Sequence, residues 1–490
     1  MLPYLLGIDI GTGSVKAVAI DLKGNLLDSI RQDHPATALL PDKSEQDPDM
    51  LVSVWMKTLS ALIERRGSQP VCISLSSAMH GLIAVDSSNK PLSPLITWSD
   101  LRAASIAARL RTSAEGEDIY RHTGTPLHAM SPLCKLIWLR EEEPELFQTA
   151  NRFISIKEYI WQKLFGEFAV DHSIASATGL FDIETKDWYG PALELAGIDA
   201  GRLSKPVPTD HTRRGCRPGM AASLSIDSEV LFCIGASDGC LANLATRALD
   251  PGIVALTIGT SGAVRRASGR PLPNWQAMPF SYMLDERTFI CGGPVNNGGN
   301  VVQWLLQKFC AGDTTEAGYN FLFEAAEKIP AGSEGLVFLP YLFGERAPVW
   351  DEQACGVYFG IGARHGQGHF IRAALEGICF GLRQVLELLE EEGSPVEELH
   401  VSGGFVQSAV WMQLLADITR KKLWVPPSAD ASATGAAYLA LRALGHSIES
   451  LTAPLPGARY IQPDNGTAYE RNFTLFKKLY PTLKDLMDHP

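Results

Sequence analysis

Five adjacent residues, Gly235-Ala236-Ser237-Asp238-Gly239, could do chemistry as a unit. They follow the apolar run Val230–Ile234 and precede the helix-like stretch Cys240–Thr246. A buried strand, a tight glycine turn and a helix start set a side chain at the carboxyl end of a sheet, where open α/β sheets bind their ligands. Two side chains qualify. Read as G-x-S-x-G, the turn is a nucleophile elbow with Ser237 as nucleophile, which needs an acid and then a histidine downstream, such as Asp285 and His400. Read the other way, Asp238 is a carboxylate poised as a general base and Ser237 only completes the turn.

A second constellation lies at the start of the chain. The strand-like run Tyr4–Ile10 carries one carboxylate, Asp9, and leads through Gly11-Thr12-Gly13-Ser14 into a second strand, Val15–Ile20. A carboxylate inside an apolar strand is costly unless it is paired or metal-bound. Either Asp9 caps its own turn, or the hairpin aims backbone N–H groups and hydroxyls at an anion, with Asp9 near Mg²⁺. The pattern returns halfway down the chain. Ile253–Ile258 is followed by Gly259-Thr260-Ser261-Gly262 and another strand, so Ile-Gly-Thr stands at 10–12 and at 258–260 in the same strand–turn–strand context. That recurrence implies a duplicated domain, and two Gly-Thr hairpins gripping a polyphosphate from both sides of a cleft. His80 and Asp100 each lie just past a strand-like run, as binding residues would, or as satisfied structural ones. The turn Ser402-Gly403-Gly404 allows close backbone approach, suited to an adenine or ribose face or simply to a tight strand–helix turn.

The elements that must position these residues follow from local signals. Asp47-Pro48-Asp49 starts a helix with Leu51, Val54, Leu59 and Leu62 on its apolar face. Further helices are expected over 99–111, 134–142, 155–165, 301–309 and 370–390, and another from Val406. The stretch 171–179 reads as a loop lining a site, and Gly344-Glu345-Arg346-Ala347-Pro348 as a charged loop. A chain of 490 residues is long enough for two or three domains. Forty-three basic against 55 acidic side chains give a net charge of −12, which argues against nucleic acid as a partner. Nine scattered cysteines without C-x-x-C favour buried thiols in a reducing compartment. No leader pattern and no apolar run of membrane length is present, so the expected location is cytoplasmic, away from any membrane. The P-loop, the dinucleotide fingerprint and H-E-x-x-H are all absent, and His365 and His369, though spaced i, i+4, have no carboxylate nearby in sequence.

Taken together the motifs resemble the FGGY carbohydrate kinases. Gly7–Lys16 resembles the family's first phosphate hairpin. Met130-Ser131-Pro132-Leu133-Cys134-Lys135-Leu136-Ile137-Trp138 and the residues to Glu142 are similar to its first signature, and Gly356–Ile361 continuing through His369-Phe370 to Glu376 to its second. The resemblance spans essentially the whole chain. It implies an α/β, duplicated actin-like (ribonuclease H-like) ATPase fold with two domains around a central cleft. These are residues 1–246, with the sugar site, first hairpin and base, and residues 247–490, with the nucleotide site. It implies Asp238 as catalytic base. The substrate set is His80, Met79, Trp98, Asp100, Met130 and Gly239. ATP phosphates fall to Thr12, Gly13, Ser14, Thr260 and Ser261, and Lys16 either assists them or stands on the surface. Gly299, Gln303, Gly404 and Ser408 match nucleotide-side positions, and Asp9 would hold Mg²⁺ through water. Ser76–His80, Ile96–Asp100, Gly124–Pro132 and Gly344–Pro348 are most similar to the gluconokinase subgroup. The implied reaction is therefore transfer of the γ-phosphate of ATP to a small sugar or sugar acid, D-gluconate first and xylulose or another pentulose second. Domain closure would keep water from the phosphate. A homodimer is compatible with this reading.

Overall fold

The computed structural model describes residues 3–35, 42–426, 430–446 and 458–487. They fall into two compact units. The first takes the described residues within Met1–Arg247, Ser268–Ile290 and Asp430–Ala453, and the second those within Ala248–Ala267, Cys291–Ala429 and Pro454–Pro490. A boundary thus lies beside the one expected after residue 246. Two later segments, however, return to the first unit.

The first unit is built on a six-stranded sheet in the spatial order Thr212–Arg213, Leu231–Ser237, Cys72–Ser77, Tyr4–Ile10, Ser14–Asp21, Leu26–Asp33. Tyr4–Ile10 runs antiparallel to Ser14–Asp21 and parallel to Cys72–Ser77, which runs parallel to Leu231–Ser237. The central strands are buried on both faces, as parallel strands covered by helices must be. One cover is the helix Pro48–Arg66, capped by the Asp47 side chain and pressing Leu51, Trp55, Leu59 and Leu62 into the core. Another is the helix Ala431–Ala443, which comes from the far end of the chain. It lies so close to the first strand that a Cβ on Gly7 would stand 1.9 Å from the Ala433 carbonyl oxygen.

The second unit repeats the plan. Ile253–Ile258 runs antiparallel to Gly262–Ser268 and parallel to Glu398–Ser402. Glu398–Ser402 pairs in parallel with Lys422–Val425, and an antiparallel edge strand, Arg459–Ile461, follows. Each sheet therefore has a hairpin, two further parallel strands and an antiparallel edge. The repeated Ile-Gly-Thr closes the same strand in both, so the duplication read from three residues extends to the topology.

Some local expectations shift. The helix expected from Ser99 begins at Ala104, because Asp100 and Arg102 form a turn first: the Asp100 side chain accepts the Arg102 N–H at 3.2 Å. The helix expected from Val406 begins at Ala409 after a 3₁₀ turn, Gly404–Gln407, and is capped by the Ser408 hydroxyl. The expected loop 171–179 holds one helical turn, His172–Ala175, capped by Asp171.

Gly235 sits at φ +79° where the register of its strand against Cys72–Ser77 shifts, and a Cβ there would stand 1.7 Å from the Leu75 carbonyl oxygen. Gly7→Ala and Gly235→Ala should each destabilise the protein by at least about 1–3 kcal/mol, the usual cost of overpacking. Urea unfolding followed by circular dichroism would read this as a lower midpoint.

Candidate active site

The turn around Asp238 is held by side chains from three other stretches of the chain. The shift at Gly235 is a β-bulge, which re-aims the end of the strand. The next carbonyl, that of Ala236, accepts the Lys157 ammonium at 2.8 Å. The Ser237 N–H donates to the Ser173 hydroxyl at 3.1 Å, and that hydroxyl donates to Ser237 Oγ at 2.9 Å. The Asp238 carbonyl accepts from Ser432 at 3.2 Å. Lys157 also meets Asp171 at 2.7 Å, with both side chains buried (2% and 0% exposed).

This geometry separates the two candidate nucleophiles. Ser237 is 0% exposed and its hydroxyl is tied to Ser173. Asp285 pairs with Arg442 at 2.6 Å, and His400 Nε2 faces Glu398 at 3.0 Å. None of these residues has an elbow's arrangement. Asp238 is half-buried and opens the helix Asp238–Ala245, whose N-terminal dipole favours the ionised carboxylate. Its Oδ1 accepts the Gly239 N–H at 2.7 Å.

Asp9 is 9% exposed and accepts the Ser76 hydroxyl at 2.6 Å. Burial raises its proton affinity, opposed by Ser76 and by Lys16, its cross-strand partner. Lys16 is no free surface residue: its ammonium pairs with Asp430 at 3.1 Å. At the turn itself, the carbonyls of Gly11, Thr12 and Gly13 accept from His34 Nε2 (3.0 Å), Gln46 Nε2 (2.8 Å) and the His34 N–H (3.3 Å). The Ser14 carbonyl accepts the Gly11 N–H at 3.1 Å. With each acceptor matched, the exposed tip at Thr12 and Gly13 offers donors, and Ser14 is buried at its base.

Met79 and Trp98 meet Gly11, Thr12 and Gln46 along one narrow crevice. The other expected sugar residues are placed differently. His80 is buried at φ +66°, its Nδ1–H donating to the Ala177 carbonyl at 2.8 Å and its ring edge against Tyr282. Asp100 is buried and engaged by Arg102 and by the Ser44 N–H at 2.9 Å, so it fastens its own turn. Met130 is buried with its N–H on His128 Nδ1, and Gly239 is buried in the first turn of its helix.

The second unit contains a cavity of about 850 Å³. Its lining includes Thr260, Gly299, Gln303, Gly404 and Ser408, brought together from three separate stretches, with Phe323, Phe405 and Trp411 as apolar walls. Ser261 stands beside Thr260 but outside that lining. The hairpin follows the same logic as the first: the Gly259 and Thr260 carbonyls accept the N–H groups of Gly299 (2.8 Å) and Asn300 (3.0 Å), and the Ser261 carbonyl accepts that of Gly259 (2.8 Å).

Residues 4–245 match the N-terminal domain of the FGGY family of carbohydrate kinases, and residues 254–444 match its C-terminal domain. The chain belongs to the FGGY family of carbohydrate kinases. This kinase is 42% identical to the gluconokinase of Bacillus licheniformis over 91% of its own length and 88% of that protein. Its fold is similar to the crystal structure of gluconate kinase from Lactobacillus acidophilus (TM-score 0.92, 32% identity, 99% and 98% of the two chains covered). It is equally similar to ligand-bound xylulose kinase from the same organism (TM-score 0.92, 32% identity, 99% of each chain covered).

Two groups of this kinase's site carried no role in the sequence reading. Lys157 lies about eighty positions before the turn it holds, so no spacing announces it. Glu345 belongs to the noted charged loop. It is buried and accepts the N–H groups of Asn296 (2.6 Å) and Arg346 (2.8 Å) and the Asn297 amide (3.1 Å), fixing the chain that leads to Gly299. Burial raises its proton affinity, opposed by those donors. Lys157→Met would strand the Asp171 carboxylate, so a loss of about 3–5 kcal/mol is expected, with most of it recovered in Lys157→Met/Asp171→Asn. Urea unfolding of the single and double variants measures this, and equal destabilisation by both would contradict the pairing.

Proposed function

We propose that this kinase transfers the γ-phosphate of Mg-ATP to the C6 hydroxyl of D-gluconate, giving 6-phosphogluconate and ADP. The observation that carries the reading is the half-buried carboxylate of Asp238 at a helix start on an immobilised turn, in a chain of the FGGY family. Phosphoryl transfer asks little covalent chemistry of a protein. It needs a group that orients the hydroxyl and takes its proton, and donors that face the phosphates. In this reading Asp238 takes the proton as the sugar oxygen forms its bond to the γ-phosphorus and the bond to the bridging oxygen of ADP breaks. Thr12, Gly13 and Ser14, with Thr260 and Ser261, hold phosphate oxygens. The cavity lined by Gly299, Gln303, Gly404 and Ser408 takes the nucleoside. Met79 and Trp98 bound the sugar, and His80, Asp100, Met130 and Gly239 complete the set of residues assigned to the sugar side.

Mg²⁺ suits the residues present. It keeps most of its waters and usually takes one or two carboxylates beside substrate phosphates. Asp9 offers one buried carboxylate whose burial favours a cation beside it, and among the described residues no cluster of three or more His, Cys, Asp or Glu side chains forms a metal cage. When bound, the ion would neutralise charge on the transferred group. Lys16 adds a second positive charge on the same hairpin.

Gluconate rests on the gluconokinase likeness. Xylulose is the second reading, because the xylulose kinase structure matches this fold equally well. The test is sugar-dependent ADP formation over gluconate, xylulose, ribulose and glycerol. Wild type should prefer gluconate, Asp238→Asn should lose at least ~10²-fold in rate, and Ser237→Ala should remain active. Full activity in Asp238→Asn would remove the mechanism, and preference for xylulose the substrate assignment.

A further inference from the structure

Lys135 is buried at 1% exposure on the helix Pro132–Glu142, and among the described residues no carboxylate forms an ion pair with it. An ammonium in that position is costly unless hydrogen bonds hold it. Its three hydrogens meet three main-chain carbonyls: His80 at 2.6 Å, Thr97 at 2.8 Å and Ile96 at 3.3 Å. These carbonyls belong to the two chain ends that carry the crevice residues. His80 follows Met79 and has the unusual φ of +66°, which turns its carbonyl out of line with the preceding strand. Ile96 ends the short strand Leu95–Ile96, and Thr97 joins it to Trp98. The helix bearing Lys135 begins directly after Met130 and Ser131.

We propose that Lys135 is the positioning residue of the sugar pocket, an ammonium clamp that fixes Met79 and Trp98 relative to each other. The inference rests on the sugar-kinase reading above, though not on which sugar is used. Burial pulls the ammonium down to about 7, opposed by the negative charge of the nearby Asp100. A structural role alone has cheaper solutions, since the Ile96 carbonyl already accepts the Leu82 N–H at 3.0 Å and the Thr97 carbonyl the Asp100 N–H at 3.3 Å. Removing the ammonium loosens the two ends, while the buried Asp100 carboxylate nearby keeps its own ion pair with Arg102.

The experiment uses whichever sugar wild type phosphorylates fastest. Lys135→Met keeps the side chain's length and apolar stem. The clamp predicts a sugar KM raised at least about tenfold, as expected when reacting groups are misplaced, with the ATP KM within twofold and the melting temperature nearly unchanged. An unchanged sugar KM, or sugar and ATP KM rising together with a lower melting temperature, would overturn it. Should Lys135→Met yield no folded protein, Lys135→Arg keeps the charge but moves the donors. A sugar KM raised at least about threefold at constant ATP KM then supports the clamp, and any other pattern overturns it. Wild type turning over no sugar at all would instead overturn the kinase reading beneath it.

Discussion

The carbonyl of Ala236 and the ammonium of Lys157 form the contact on which the Asp238 turn depends. In the proposed role of general base, Asp238 is useful only if its carboxylate stays where the hydroxyl will be, and a glycine turn supplies no stiffness of its own. Here stiffness comes from below. Lys157 is itself locked to Asp171, and Asp171 caps the helical turn that carries Ser173, which holds Ser237. One buried ion pair thus fixes two successive residues of the turn by separate routes. Neither partner has an alternative, because an unpaired charge at that depth is far more costly than the pair.

The two Gly-Thr hairpins show a rule that their sequences only hint at. In the proposed phosphate role, each loop must occupy its own acceptors elsewhere, or carbonyl oxygens would repel the ligand. In the first hairpin side chains and main chain of His34 and Gln46 do this, and in the second the N-terminal N–H groups of the helix Gly299–Phe309 do it. The topology is duplicated while the means differ, as befits copies that kept a physical requirement and exchanged the residues meeting it.

Legibility followed the range of the interactions. Strand–turn–strand patterns are local, so Asp9, the two hairpins and the Asp238 turn could be read from spacing. The nucleotide-side residues came from family likeness, and Thr260, Gly299, Gln303, Gly404 and Ser408 do line one cavity. Asp100 illustrates what spacing hides. Its position past a strand suggested a ligand contact, yet its acceptors are taken by Arg102 two residues on and by Ser44 fifty-six residues back. Lys135, Lys157 and Glu345 were invisible as site residues for the same reason: a buried charge is defined by partners that only the fold supplies. The helix Ala431–Ala443 is rich in alanine and leucine, but no local signal assigns it to the first sheet.

That helix has a consequence for how the protein is made. Its backbone lies against the first strand, where Gly7 leaves room for it. As the chain emerges from the ribosome, the sheet of the first unit waits with one face only partly covered until most of the second unit has been synthesised. The amino-terminal half thus lacks part of its packing for most of translation. A prematurely ended chain would display an apolar sheet face, a form suited to chaperones and proteases rather than to catalysis.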